Sequence, residues 1–156
     1  MITAVDTNIL LDILIPDESH FQKSKGLLDE HVQKGQLIIC EIVYAELASQ
    51  FSSEKELKDF LSDTGIRLVH STVETLGRAG ERWKNYSKNK NQALQCPKCG
   101  ASTNITCHKC HSPITVRQHI LSDFIIGAHA LHHSELLLSR DRGFYKTNFK
   151  DLKVIG

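Results

Sequence analysis

Apolar positions fall into short runs separated by amphipathic stretches. Ile2-Thr3-Ala4-Val5 reads as a short buried strand that ends at Asp6-Thr7-Asn8. Residues 7–15 are strongly apolar and predict a helix that Pro16 terminates. A second helix is predicted to about Lys34, with Asp17 or Ser19 as its cap and Gly35 as its stop. Leu37 to Ile39 predicts a second strand. Glu41 to Phe51 places Ile42, Val43, Ala45, Glu46, Leu47 and Phe51 at helical spacing, and Ser52-Ser53 followed by Glu54 and Glu56 starts a helix to about Leu61. Ile66 to Val69 predicts a third strand, and Ser71 to about Lys88 a long helix. After a polar segment, Thr115 or Ser122 to about His133 is helical again. Leu136 to Leu138 and Leu152 to Ile155 are the fourth and fifth strands. Short apolar strands alternating with helices predict an α/β fold with a mostly parallel sheet, in which ligands sit beyond the carboxyl ends of the strands.

The length of 156 residues, 40% hydrophobic and 24% charged, suits a single domain over 1–156 with a real core. Lys plus Arg total 19 and Asp plus Glu 18, a net charge of +1, which excludes coating nucleic acid by bulk charge. Contact with nucleic acid therefore needs a local patch. Met1 to Pro16 lacks a basic leader, and Asp6 and Asp12 interrupt it, so it is not read as a signal peptide. No apolar run approaches the roughly 20 residues of a membrane span. A cytoplasmic location, with no membrane partner, is expected. No GxGxxG, GxxxxGK[ST] or HExxH motif occurs. Cys40, inside Leu37-Ile38-Ile39-Cys40, reads as a buried thiol. His129, His132 and His133 fall near a predicted helix end, where helix charge or surface placement accounts for them as well as catalysis does.

Four acids carry the chemistry. Asp6 directly follows the first strand, and Asp141 follows the fourth after Ser139-Arg140. Glu46 and Asp123 lie in otherwise apolar helical stretches, where carboxylates are rare unless paired or metal-bound. At about 5 Å and an effective dielectric near 20, each pair sharing a pocket repels by roughly 3 kcal/mol, so protonation or a cation is required. Oxygen-only ligands favour Mg²⁺ or Mn²⁺. Singly, each acid has a plain alternative: a helix cap at Asp6-Thr7-Asn8, a turn at Asp141, an ion pair or solvent exposure at Glu46 and Asp123.

The order of these segments resembles a known family. Val5-Asp6-Thr7-Asn8-Ile9-Leu10-Leu11-Asp12 is similar to the opening motif of PIN-domain ribonucleases. Tyr44-Ala45-Glu46-Leu47, Ser122-Asp123-Phe124-Ile125-Ile126-Gly127-Ala128-His129-Ala130 and Leu138-Ser139-Arg140-Asp141-Arg142-Gly143-Phe144 resemble the three motifs that follow. The resemblance implies a three-layer fold and a Mg²⁺- or Mn²⁺-dependent endoribonuclease. Asp6, Glu46, Asp123 and Asp141 would be the metal carboxylates, with Asn8 and Ser139 as polar supports. Asp12 is a weaker candidate that otherwise faces solvent. Many members resemble VapC toxins, which implies RNA as substrate, an antitoxin partner and a homodimer. A ribosomal RNA-processing PIN endonuclease and a non-catalytic RNA- or protein-binding PIN module are the alternatives.

The composition changes over 89–116. Cys96-Pro97-Lys98-Cys99-Gly100 and Cys107-His108-Lys109-Cys110-His111 form two C-x2-C pairs, read as a structural Zn²⁺ site in a module over 91–116. The x2 spacing lets two thiolates grip one ion from a tight turn, and Gly100 permits the positive φ of such a turn. Four thiolates leave no open position, so this zinc is not expected to be catalytic. Acids are absent from 82 to 122, while Lys84, Lys88, Lys90, Lys98, Lys109 and Arg117 lie there, with Arg78 and Arg82 at or just before its start. Lys98, Lys109, Arg117 and Lys84 are the candidate RNA contacts; a solvated basic face is the plain alternative. Trp83 and Tyr86 either stack on bases or pack against the core.

Overall fold

The computed structural model describes residues 1–15, 19–88, 94–112 and 119–156. In chain order the elements are β1 (Ile2–Val5), α1 (Thr7–Leu14), α2 (Phe21–Lys34), β2 (Gln36–Ile39), α3 (Glu41–Ala48), α4 (Glu54–Asp63), β3 (Ile66–Leu68), α5 (Val73–Lys88), β4 (Leu94–Gln95), β5 (Ser102–Thr103), α6 (Leu121–His133), β6 (Leu136–Leu138), α7 (Arg142–Asn148) and β7 (Val154–Ile155). Five strands form one sheet in the order β3-β2-β1-β6-β7. Every neighbouring pair is parallel, with Ala4 beside Ile38 on one side and beside Leu137 on the other. This is the expected α/β fold, with helices flanking an all-parallel sheet.

The strand sequences explain their position. Ala4, Val5, Leu37, Ile38, Ile39 and Leu136 to Leu138 are all buried. A parallel strand covered on both faces needs such an unbroken apolar run. Ser53 caps α4 by accepting from the Glu56 amide at 3.3 Å, while Glu56 accepts from the Ser52 amide at 3.1 Å. That reciprocal arrangement explains why the helix starts where Ser52-Ser53 predicts.

Three local expectations are corrected. Helix α2 starts at Phe21 with His20 at the cap position and no side-chain cap, so Ser19 does not cap it; Asp17 lies outside the described residues. Ser122 falls within α6, which begins one residue earlier, and Thr115 lies outside the described residues. Two elements were not anticipated: α7, and the antiparallel hairpin in which Leu94 faces Thr103. Among the described residues no helix is long and apolar enough to cross a membrane.

Asp12 does not face solvent. It is 4% exposed and accepts from the Ser24 hydroxyl at 2.6 Å, and its other oxygen stands 3.1 Å from the Arg140 guanidinium. It fastens α1 to α2 and to the segment after β6. Asp12→Ala strips a buried hydroxyl of its acceptor and is expected to cost about 2–3 kcal/mol in urea unfolding. A change within about 0.5 kcal/mol, typical of a surface site, would contradict this role.

Candidate active site

Connectivity brings the acids together. From β1 the sheet grows to β2 and β3 on one side and to β6 and β7 on the other, so β1 and β6 flank the reversal point where parallel sheets bind ligands. The Asp6 amide donates to the Leu138 carbonyl at 2.9 Å, which sets Asp6 beside Ser139 at the carboxyl edge. Helix α3 begins directly after β2, and α6 returns toward the start of β6, so both open at this edge and bring in Glu46 and Asp123. Asp141 follows β6 and caps α7 by accepting from the Phe144 amide at 3.3 Å. Asp6, Glu46, Asp123 and Asp141 line one open pocket of about 400 Å³, together with Thr7, Asn8 and Tyr145.

Asp6 occupies the cap position of α1, yet its side chain does not cap the helix. Its Oδ2 instead accepts from the Ser139 hydroxyl at 2.6 Å, the Asn8 amide at 2.8 Å and the Tyr145 hydroxyl at 3.3 Å. Asn8 in turn accepts from the Arg140 amide at 3.1 Å, and Ser139 from the Asp141 amide at 3.1 Å. Burial pushes the Asp6 carboxyl up to about 6; Asp123 and Glu46 add to the rise, and the Ser139 bond opposes it. Burial and Asp123 also raise Asp141, while His119 and the Phe144 amide pull it down. Burial and the facing acids, Asp6 first, hold the Tyr145 hydroxyl well above its ordinary range. Glu46 accepts from the Thr7 hydroxyl, and Asp123 from the Ile120 amide at 2.8 Å.

This donor set suits a hard divalent cation: four carboxylates line the pocket, the lining residues include no thiolate or imidazole, and one carboxyl is raised to about 6 by its burial. Among the described residues no three His, Cys, Asp or Glu side chains are gathered tightly enough to hold a metal ion.

Three residues at the site carried no sequence signal strong enough to single them out. Thr7 lies inside the first motif, but nothing in a lone threonine announces a bond to Glu46. Tyr145 depends on α7, whose seven residues gave too little periodicity to predict. His119 is buried, with Nδ1 3.7 Å from Asp123 and 3.6 Å from Asp141, and its ring lies 4.1 Å from that of Phe144. It enters from the far end of the cysteine segment, so its partners are set by the fold alone.

The remaining candidates divide. Lys84, Lys88, Lys98 and Lys109 are exposed, whereas Lys90 and Arg117 lie outside the described residues. Arg82 is committed elsewhere, donating to the Asn148 carbonyl and lying 4.7 Å over the Phe149 ring. Arg78 pairs with Glu74. Trp83 and Tyr86 are half-buried in an aromatic cluster, with Phe124 5.6 and 5.3 Å from them. Cys40 is buried and its thiol is pushed up to about 11 by that burial. His129 is buried against the Val69 carbonyl, and burial followed by His133 lowers it to about 4.

The two cysteine pairs have matching backbones. Gly100 and His111 donate to the carbonyls of Cys96 and Cys107, both at 2.8 Å, and Cys96 and Cys107 donate to Ala101 and Ser112. The fifth residue of each turn is left-handed, Gly100 at φ 80° and His111 at φ 58°. A non-glycine residue held there costs about 1–2 kcal/mol, which the backbone hydrogen bonds of the turn help offset. The amides of Cys99 and Lys98 point at the Cys96 sulfur and hold its thiol below the ordinary range; the Ser112 hydroxyl does so for Cys110.

A parallel sheet that crowds four carboxylates at its reversal point defines a narrow class of α/β proteins. The chain belongs to the PIN-domain family, whose sequence profile matches residues 3–150. Among solved structures it is similar to VapBC-1 from nontypeable Haemophilus influenzae, with a TM-score of 0.62 and 18% identity over 99% of this chain and 97% of that one. It is also similar to VapBC2 from Rickettsia felis, bound to a DNA fragment from its promoter, with a TM-score of 0.56 and 18% identity over 99% and 98%. At this identity the likeness is one of fold. No curated protein matches the chain by sequence.

The raised Asp6 carboxyl has a sign that can be tested. Folded Asp6 holds its proton more tightly than the unfolded residue, so metal-free protein loses stability as pH rises from 3.8 to about 6. Two units correspond to roughly 3 kcal/mol. His129, depressed from 6.5 to about 4, contributes stability that is present above 6.5 and lost as pH falls. The readout is therefore the difference between wild type and Asp6→Asn. Without divalent cations, the variant is expected to be the more stable protein at pH 7.5, with the gap closing toward pH 4. A pH-independent gap in urea unfolding would show that Asp6 carries no such strain.

Proposed function

We propose that the chain is a metal-dependent endoribonuclease that hydrolyses RNA phosphodiester bonds, acting as a VapC-type toxin. One observation carries this reading: four carboxylates line a single open pocket at the reversal point of the sheet. Asp6, Glu46, Asp123 and Asp141 would hold Mg²⁺ or Mn²⁺. Such an ion lowers the pKa of a bound water and offsets charge on the phosphodiester. Ser139 and Asn8 orient the Asp6 carboxylate from two sides, and Thr7 fixes Glu46. Tyr145, kept protonated, can only donate to Asp6 and so helps hold that oxygen in place.

RNA would be met by the exposed Lys84, Lys98 and Lys109, with Arg117 a further candidate by its sequence position. An antitoxin chain and a homodimer are part of this reading, supported by two VapBC complexes among proteins of the same fold. The cysteine turns, with amides and a hydroxyl aimed at their sulfurs, are the ligand set for a structural Zn²⁺. The same segment favours a second reading, processing of structured ribosomal RNA, since a basic metal module gives grip on folded RNA.

The test is cleavage of labelled single-stranded and structured RNAs with Mn²⁺ or Mg²⁺. Wild type is expected to cleave, Asp6→Asn to be inactive, and Ser139→Ala to lose about 10- to 100-fold, as when a metal ligand loses its support. Equal cleavage by wild type and Asp6→Asn would refute the assignment of the site.

A further inference from the structure

The first cysteine turn is built into the acidic site. The Gly143 amide donates to the Pro97 carbonyl at 2.7 Å. Gly143 is buried, and a Cβ there would fall onto the carbonyl oxygen of Cys96, within 2.7 Å of the Gly100 amide nitrogen and 2.9 Å of the Pro97 carbonyl oxygen. Only glycine lets the two backbones meet. Gly143 lies two residues after Asp141, in the first turn of the helix that Asp141 caps. The far end of the same segment leads into His119, which stands between Asp123 and Asp141. The segment thus braces the fourth acid from both of its ends.

We propose that the turn Cys96–Gly100 is a positioning element of the acidic pocket, latched to Gly143, so that loading of the cysteines with Zn²⁺ sets the placement of Asp141 and governs divalent-cation binding at the pocket. This rests on the zinc and carboxylate assignments made above. The reasoning is mechanical. The latch is made by backbone groups of residues 96–100, and the same turn aims the Cys99 and Lys98 amides at the Cys96 sulfur. Loss of the ion frees that turn. Its hold on Gly143 then loosens, and with it the cap that fixes the Asp141 carboxylate. An insert serving only to recruit RNA has no need of a contact so close that it excludes a methyl group from the catalytic motif.

The experiment compares full-length protein carrying Zn²⁺ with the same protein stripped by dialysis against a chelator that is then removed. Two quantities are read: Mn²⁺ affinity at the pocket, and amide hydrogen exchange over residues 142–147. Stripping is expected to weaken Mn²⁺ binding by about 10- to 100-fold, as when a metal ligand loses its supporting contact. It should also speed exchange over 142–147, and restoring Zn²⁺ should reverse both. Gly143→Ala is expected to keep its zinc, to bind Mn²⁺ as weakly as stripped wild type, and to be insensitive to stripping. Unchanged Mn²⁺ affinity and unchanged exchange on stripping would overturn the proposal, as would a chain that takes up no zinc. If wild type binds no Mn²⁺ in either state, the carboxylate reading fails separately, and exchange over 142–147 decides whether the latch exists. Should Gly143→Ala not fold, the comparison of loaded and stripped wild type stands alone.

Discussion

Burying a carboxylate among other carboxylates is the constraint on which the rest of the structure turns. Asp6 is 6% exposed and faces Asp123 and Glu46, and its Oδ2 receives three hydrogen bonds. Hydrogen bonds alone do not offset its desolvation, which is why its carboxyl is lifted to about 6 rather than lowered. A cation bound among these carboxylates, as proposed above, would relieve that cost. The reversal point of the sheet supplies the location, because adjacent carboxyl ends of β1 and β6 put Asp6 and Ser139 side by side without any long loop.

The surrounding packing keeps that arrangement stiff. Phe124, one residue after Asp123, is fully buried and sits at the centre of an aromatic cluster that takes in Trp83, Tyr86, Phe144 and Phe149. Phe144 follows Asp141 by three residues, so the two acids on α6 and at the start of α7 are tied through a pair of rings 5.0 Å apart. His119 joins the cluster through Phe144 and Tyr86 and faces the acids with its nitrogen. Aromatic burial and the placement of charge are thus handled by neighbouring residues on the same turns.

Much of this was legible in the sequence, and the reasons are specific. The central strands were readable because β2 and β6 carry the runs Leu37-Ile38-Ile39 and Leu136-Leu137-Leu138, the signature of a sheet covered on both faces. The family could be recognised because two acids follow strand ends and two interrupt apolar helices, in a fixed order. Helix α7 was not readable, since Arg142–Asn148 is too short to show a period, and Tyr145 went with it. The start of α2 was misjudged because a serine before a helix is a strong prior for a cap, and here His20 takes the position without a side-chain bond. Asp12 shares a helix with the first motif, and only the fold shows that Ser24 and Arg140 enclose it. The meeting of Gly143 with the cysteine turn joins segments more than forty residues apart, and no local pattern encodes it.

The most direct test of the account is anomalous diffraction from crystals of the wild-type chain grown with Mn²⁺, recorded at the manganese and zinc edges. The account predicts a manganese peak in the pocket bounded by Asp6, Glu46, Asp123 and Asp141, and a separate zinc peak among Cys96, Cys99, Cys107 and Cys110. An empty acidic pocket at saturating Mn²⁺, with its carboxylates still held by their protein donors, would contradict it.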